Sequence, residues 1–234
     1  MNILSKILYK LKKIYRISSN DRFINYLKAE GVTIGKNVLF REPRTTAIDL
    51  SRPCLISIGS NVDINTHFTI MTHDFCNYVF RNAFSDYINS SGRVNIGSNI
   101  YFGRDVTILK GASVGNNCII GAGSIITKDI PDNSVAVGAP CKVICSLEEY
   151  YERRKKESFA EAIEYIKLFR KKHGRNPKTN MELREEWVYF IDANNINNYP
   201  EIPVKQRVGV GFDKWLKEHK APFHSYEEFM NSIE

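Results

Sequence analysis

No apolar run in this chain approaches the roughly 18–20 residues that a membrane-crossing helix needs, which argues against an integral membrane protein. The opening Met-Asn-Ile-Leu-Ser-Lys lacks both an unbroken apolar core and a small-residue cleavage site, so a secretory leader is not expected. Cysteine is sparse and unpatterned. The five, at 54, 76, 118, 141 and 145, are odd in number and contain no Cys-x-x-Cys pair. They read as free thiols of a reducing compartment, and the expected location is cytoplasmic. Histidine is scarce too, with five in 234 residues, at 67, 73, 173, 219 and 224. A diffuse basic surface is also missing. Of the net charge of +7, +6 falls on residues 1–28, with seven Lys or Arg against one Asp; residues 29–145 carry +1 and residues 146–234 carry none. That distribution excludes a nucleic-acid footprint spread over the protein.

What the chain does have is a repeat. Ile96, Phe102, Ile108, Val114, Ile120 and Ile126 fall at every sixth residue, and Ile58, Ile64 and Ile70 keep the same step earlier. Neither one amphipathic helix nor an isolated alternating strand has this period. A fixed short period marks a solenoid. Here it predicts a parallel β-helix of triangular coils, with one large, mostly β-branched residue pointing inward from each short face. Four corners read Gly-x-Asn, at 35–37, 59–61, 97–99 and 115–117. Asn tolerates positive φ and Gly has no Cβ, as tight corners between stacked strands demand. Cys118 falls on an inward position and reads as packing.

The block Ile120-Gly-Ala-Gly-Ser-Ile-Ile-Thr-Lys-Asp-Ile-Pro-Asp132, followed by Val137-Gly-Ala-Pro-Cys-Lys-Val-Ile144, resembles the hexapeptide-repeat acyltransferases. The likeness covers roughly residues 30–145. It points to sugar O-acetyltransferases of the galactoside and maltose type and to those of capsule and lipopolysaccharide synthesis. It implies a mainly β fold: a left-handed parallel β-helix over 30–145, with an N-terminal helical segment at 1–29 and a helical extension at 146–234. The hand follows from the resemblance alone, since crossovers are otherwise right-handed. Phe75 to Gly92 breaks the period, and residues 75–93 are expected to leave the coil as an extruded loop. Its aromatics, Phe75, Tyr78, Phe80, Phe84 and Tyr87, suit either a ligand groove or a neighbouring subunit.

Outside the coil, Ile3, Leu4, Ile7, Leu8, Leu11, Ile14 and Tyr15 make one apolar stripe at helical spacing among Lys6, Lys10, Lys12, Lys13 and Arg16. Two readings stay open: a helix packed on the base of the coil, or one lying on an anionic membrane surface through residues 1–28, on the inner face. Ser146-Leu-Glu-Glu149 is a capping box for a helix predicted to reach His173, with Gly174 closing it. A second helix is predicted over 181–193, with Trp187, Val188 and Phe190 partly buried. Ser225-Tyr-Glu-Glu228 caps a terminal one.

Acetyl transfer to a hydroxyl needs a base for the hydroxyl proton and a groove for the thioester carrier. Imidazole suits the base role near neutral pH. Only His67 and His73 lie in the coil region, too few for the three-histidine zinc site of a γ-class carbonic anhydrase on the same scaffold, and no metal is expected. His73, in Met71-Thr-His-Asp-Phe75, matches the catalytic histidine of the family and is the expected general base. Asn65, His67 and Asp74 are candidate acceptor contacts, and Asp74 alternatively braces the loop. The resemblance implies acetyl-CoA as co-substrate. Tyr101, Gly103, Arg104, Gly121 and Ala122 would line its pantetheine arm, and Thr127, Lys128 and Lys142 its phosphate end. Arg104 stands where a small residue is usual, and Lys142 where Arg is common. No nucleophile is evident, so transfer should be direct, without an acetyl-enzyme. The resemblance further implies a homotrimer with active sites between subunits, and a sugar or glycolipid acceptor. An N-acetyltransferase of an amino sugar or small amine, or a non-catalytic β-helix assembly module, would share this scaffold.

Overall fold

The six-residue step becomes a coil with three faces. The computed structural model describes Leu11 and residues 14–233. Within them, strands of two to five residues stack into three sheets. One holds β1 (Thr33–Ile34), β4 (Ile56–Ile58), β7 (Val94–Ile96) and β10 (Ser113–Val114). The second holds β2 (Val38–Phe40), β5 (Val62–Ile64), β8 (Ile100–Phe102), β11 (Cys118–Ile120), β13 (Ser134–Val137) and β14 (Lys142–Ser146). The third holds β3 (Ala47–Ile48), β6 (Thr69–Ile70), β9 (Thr107–Ile108) and β12 (Ile125–Ile126). From β1 to β12 successive strands pass from one sheet to the next, and all strand pairs are parallel except β13 with β14.

The registers measure each coil. Val38 faces Val62, 24 residues on, whereas Ala47 faces Thr69, only 22 on. Ile58 faces Ile96, 38 residues on, and Cys118 faces Ile100, 18 apart. The 38-residue coil is an 18-residue coil carrying 20 extra residues. These leave as the expected loop between β6 and β7, which folds in part into helix α1 (Asn77–Ala83). All nine residues of the hexad series are buried, none more than 3% exposed. Each contributes about 1.5–3 kcal/mol by leaving water. Phe68 and Phe102, both fully buried, meet at 5.0 Å between ring centres.

The corners behave as Gly-x-Asn predicts. Asn37, Asn61, Asn99 and Asn117 all have φ between 53° and 60°, the left-handed region that Asn enters at low cost. Their amides form a ladder along the coil axis: Asn37 donates to Asn61 at 3.1 Å, Asn99 to Asn117 at 2.8 Å and Asn117 to Asn133 at 2.9 Å. A Cβ on Gly59 would lie 2.4 Å from the carbonyl oxygen of Gly97, so only glycine lets these coils stack.

The chain divides into two compact units, Met1–Glu152 and Arg153–Glu234. In the first, the helix Asn20–Glu30, capped by Ser19, buries Phe23 and Leu27 in the coil's core. The predicted N-terminal stripe lies mostly outside the described residues. Of its members, Leu11, Ile14 and Tyr15 are described, and they are exposed. The helix Leu147–His173 begins on the predicted capping box, with the Glu149 carboxylate 2.8 Å from Ser146 N and the Ser146 hydroxyl 3.1 Å from Glu149 N. Gly174, at φ 65°, closes it. The second unit has its own core of Ile166, Leu183, Trp187, Phe190, Ile191, Ile202, Val204, Phe229, Met230 and Ile233. Tyr226–Asn231 is helical, as its Ser225 cap predicts.

Two expectations are corrected. No α-helix spans 181–193; only a 3-10 turn forms at Glu186–Tyr189. Asp192 and Asn195 satisfy backbone and side-chain groups locally (Asp192 N to Asn195 Oδ1 at 3.0 Å, Asn194 N to Asp192 Oδ1 at 2.8 Å), which competes with helical bonding. Trp187 and Phe190 are buried rather than partly buried, because the turn aims both inward. The mainly β description fits the coil region, while over the whole chain helices take a substantial share, the longest running 27 residues.

Candidate active site

Where β6 ends, the chain turns out of the third sheet, and His73 stands at that corner with its side chain about one-third exposed. Its Nδ1 lies 2.6 Å from Asp49 Oδ2 and 3.1 Å from the Ser51 hydroxyl. Asp49 and Ser51 end the neighbouring coil, because Ile48 pairs with Ile70 and brings the two corners side by side. The Asp49 carboxylate is only 15% exposed and also accepts from Thr72 N at 3.0 Å and from the Thr72 hydroxyl at 2.6 Å. Burial alone would raise its pKa. The hydrogen bonds from Thr72, Ser51 and His73 outweigh burial and hold it well below the usual carboxylate range. An ionised carboxylate only accepts, so Nδ1 carries a hydrogen, and the neutral tautomer this selects has its lone pair on Nε2.

The extruded loop is pinned at the same place. His73 forms an antiparallel bridge with Ser91, Asp74 N donates to Ser90 O at 3.2 Å and Gly92 N to Thr72 O at 2.9 Å. Asp74 does not turn to His73. Its carboxylate takes Lys110 Nζ at 2.9 Å and Cys76 N at 3.1 Å. The Lys110 and Cys76 contacts hold that carboxyl below its ordinary pKa. Lys110 also donates to the Ser90 hydroxyl, so Asp74 and Lys110 clamp the loop's two ends. Beyond the clamp, Phe75, Tyr78, Phe84, Tyr87 and Ile88 are exposed.

The other candidates divide between two corners. Thr127 and Lys128 follow β12 at the His73 end of the third sheet, two coils on. Asn65 and His67 lie at its opposite end, before β6, with Gly103, Arg104, Gly121 and Ala122 stacked on them in the next coils. There Asn65 Nδ2 lies 3.3 Å from the Tyr101 hydroxyl, and Arg104 Nε donates to the Thr66 hydroxyl at 3.1 Å. His67, at φ 59°, has Nδ1 3.7 Å from Asp105 Oδ1. A Cβ on Gly103 would fall 2.5 Å from Ala122 N. Lys142 opens β14 at the end of the second sheet. His67 and His73 thus flank β6 on either side, at different corners of the coil. Among the described residues no three His, Cys, Asp or Glu side chains converge as a metal site would require.

Sequence reasoning missed Asp49, Ser51, Thr72 and Lys110. The signal for Asp49 lay in coil length: its coil is two residues shorter on this face than on the other two, a register that a strict count of sixes does not give.

Residues 93–128 match the family model described as bacterial transferase hexapeptide (six repeats). The galactoside O-acetyltransferase of Escherichia coli (strain K12) is 38% identical over 109 residues, 44% of this chain and 52% of that protein. A Staphylococcus aureus (strain MRSA252) protein named as a putative acetyltransferase is 45% identical over 115 residues, 40% of this chain and 56% of its own. The chain thus spans a little over half the length of these relatives. The solved maltose O-acetyltransferase from Clostridium difficile 630 is similar at 26% identity, with a TM-score of 0.40, over 60% of this chain and 84% of that one. Residues 93–128 thus match the bacterial transferase hexapeptide model, and over less than half of its length the chain is similar to proteins named as acetyltransferases.

Proposed function

We propose that this chain is an acetyl-CoA-dependent O-acetyltransferase that acetylates a sugar hydroxyl in the synthesis of capsule, lipopolysaccharide or another surface polysaccharide. The observation that carries the reading is the Asp49–His73 pair, 2.6 Å apart, at the root of a loop with exposed aromatic side chains. With Nδ1–H committed to Asp49, Nε2 takes the proton of the acceptor hydroxyl as its oxygen attacks the thioester carbonyl. The same proton then passes to the departing thiolate of coenzyme A. Asp49 is a positioning residue: it fixes the ring and favours the imidazolium as that charge forms. No covalent acetyl-enzyme intervenes.

Coenzyme A lies along the Gly103, Arg104, Gly121 and Ala122 corner, where small residues let it approach the backbone, beside Tyr101. Thr127, Lys128 and Lys142 serve the phosphates. Because His73 and that corner stand at opposite ends of one sheet, the working site needs two subunits: the His73 corner of one against the coenzyme corner of the next, three times around a homotrimer. Asn65 and His67 meet the acceptor across that cleft. Asp74 is spent on Lys110, which favours its loop-bracing role over acceptor contact.

The test is release of free thiol from acetyl-CoA against a panel of sugar and amine acceptors. His73→Ala should keep its fold and its coenzyme affinity and lose roughly 10²–10⁴-fold in turnover. Mutant rates equal to wild type would remove His73 from the reaction. Failure of the wild type to bind coenzyme A would leave the assembly-module reading standing. Mass spectrometry after mixing with acetyl-CoA alone should show no acetylated protein.

A further inference from the structure

The acetyl transfer above makes no use of the segment that holds nearly all of the net charge. We propose that residues 1–28 dock the protein on an anionic lipid bilayer. Three observations carry this, and none depends on the reaction.

The first is charge. The segment is +6 over 28 residues, while the remaining 206 residues sum to +1. The second is exposure. Leu11, Ile14 and Tyr15 belong to the apolar stripe, and at 57%, 59% and 61% exposed they do not pack on the coil. Two residues beyond Tyr15, Ile17 does pack against the core, and the helix Asn20–Glu30 behind it is anchored by Phe23 and Leu27. These three side chains, Leu11, Ile14 and Tyr15, are therefore presented outward from a fixed root. By sequence Ile3, Leu4, Ile7 and Leu8 extend the stripe at the same spacing, among Lys6, Lys10, Lys12 and Lys13. The third is the arrangement at the root. The Arg22 guanidinium stacks over the Tyr15 ring at 4.3 Å and donates to the Ser18 hydroxyl at 2.8 Å; the Arg16 guanidinium lies 4.3 Å over Tyr26. Tyr15, Arg16, Arg22 and Tyr26 line a concavity of about 570 Å³ together with Leu11 and Glu30. Tyrosine rings braced by guanidiniums beside exposed aliphatics suit the headgroup level of a bilayer, where one end of a side chain is dry and the other wet.

Charge selects the occupant. A second copy laid on this stripe would set +6 against +6. An anionic lipid surface instead attracts each cation, about fivefold in affinity per Lys or Arg near the surface. The aliphatic face then adds buried area.

The experiment is vesicle flotation of the full chain with phosphatidylcholine alone and with about one-third phosphatidylglycerol. Wild type should float with the phosphatidylglycerol vesicles only, and about 0.5 M NaCl should release it. Lys6→Gln, Lys10→Gln, Lys12→Gln and Lys13→Gln combined should weaken binding roughly tenfold or more. Ile14→Asp should weaken it as well. Both variants should melt at the wild-type temperature, because both leave Ile17, Phe23 and Leu27 unchanged. Flotation on neither lipid, equal flotation on both, or undiminished binding by the fourfold variant would each overturn the proposal. So would a stripe-dependent oligomer that ignores vesicles, which would assign the face to another copy of this chain.

Discussion

Replacing Asp49 by asparagine is the sharpest perturbation of the proposed mechanism. The side chain keeps its size and an acceptor oxygen but loses its charge. In the native protein one carboxylate oxygen, Oδ2, takes Thr72 N, the Thr72 hydroxyl and His73 Nδ1. The amide of Asp49→Asn would meet these with one accepting oxygen and one donor, so the ring loses both its charged partner and its fixed tautomer. A hydrogen bond to a charged group contributes about 1.5–3 kcal/mol, or roughly 10–150-fold in rate when the charge on the imidazole forms only in the transition state. His73 is one-third exposed, so screening by water favours the lower part of that range. Turnover of Asp49→Asn should fall roughly 10–50-fold, with the acetyl-CoA KM within about twofold. Steady-state thiol release on protein of native melting temperature is the assay. Residues acting as a unit are not additive, so Asp49→Asn combined with His73→Ala should be no slower than His73→Ala alone. Wild-type turnover in Asp49→Asn, or a double variant slower by the product of the two effects, would refute the coupling of these two side chains.

Two further outcomes follow from the structure. Gly103→Ala places a methyl 2.5 Å from the backbone nitrogen of Ala122, so adjacent coils must part; we expect a loss of about 1–3 kcal/mol in denaturant unfolding and weaker coenzyme binding, and unchanged stability would show that the stack yields more easily than its geometry implies. In the C-terminal unit, Glu182 accepts both guanidinium branches of Arg175 at 2.7 and 2.8 Å and the Lys178 N–H at 2.7 Å, which lowers its pKa to about 2. A depressed folded-state value means the stabilisation is complete above the unfolded value, near 4.3, and fades as pH falls toward about 2. Wild type should therefore lose melting temperature through that window more steeply than Glu182→Gln, and parallel curves would contradict it.

The fold of residues 30–145 was legible because burial along a short-coiled solenoid is strictly periodic. A large apolar residue every sixth position, with Asn at positive φ at the corners, leaves few other ways to bury Ile58 through Ile126. The loop was legible for the converse reason, since residues that break the period cannot stay in the coil. The capping boxes at Ser146 and Ser225 could be read because both partners lie within one turn. The run 181–193 could not, because its turn is set by Asp192, Asn195 and a core assembled from distant segments. The hand of the coil was implied by the resemblance and not by any pattern in the residues. His73 could be picked from its motif, but the partner that defines its chemistry could not. Asp49 lies 24 residues earlier, and only the 22-residue register between β3 and β6 sets its carboxylate against the imidazole. The faces, the corners and the point where the chain must leave the coil are written in the order of residues, because they follow from local sterics and a repeating need to bury apolar surface. The tertiary structure alone decided which charges meet (Asp49 with His73, Asp74 with Lys110) and that the two halves of the proposed site lie at opposite ends of one sheet, because ion pairing depends on the lateral register of coils, which hydrophobic periodicity does not encode.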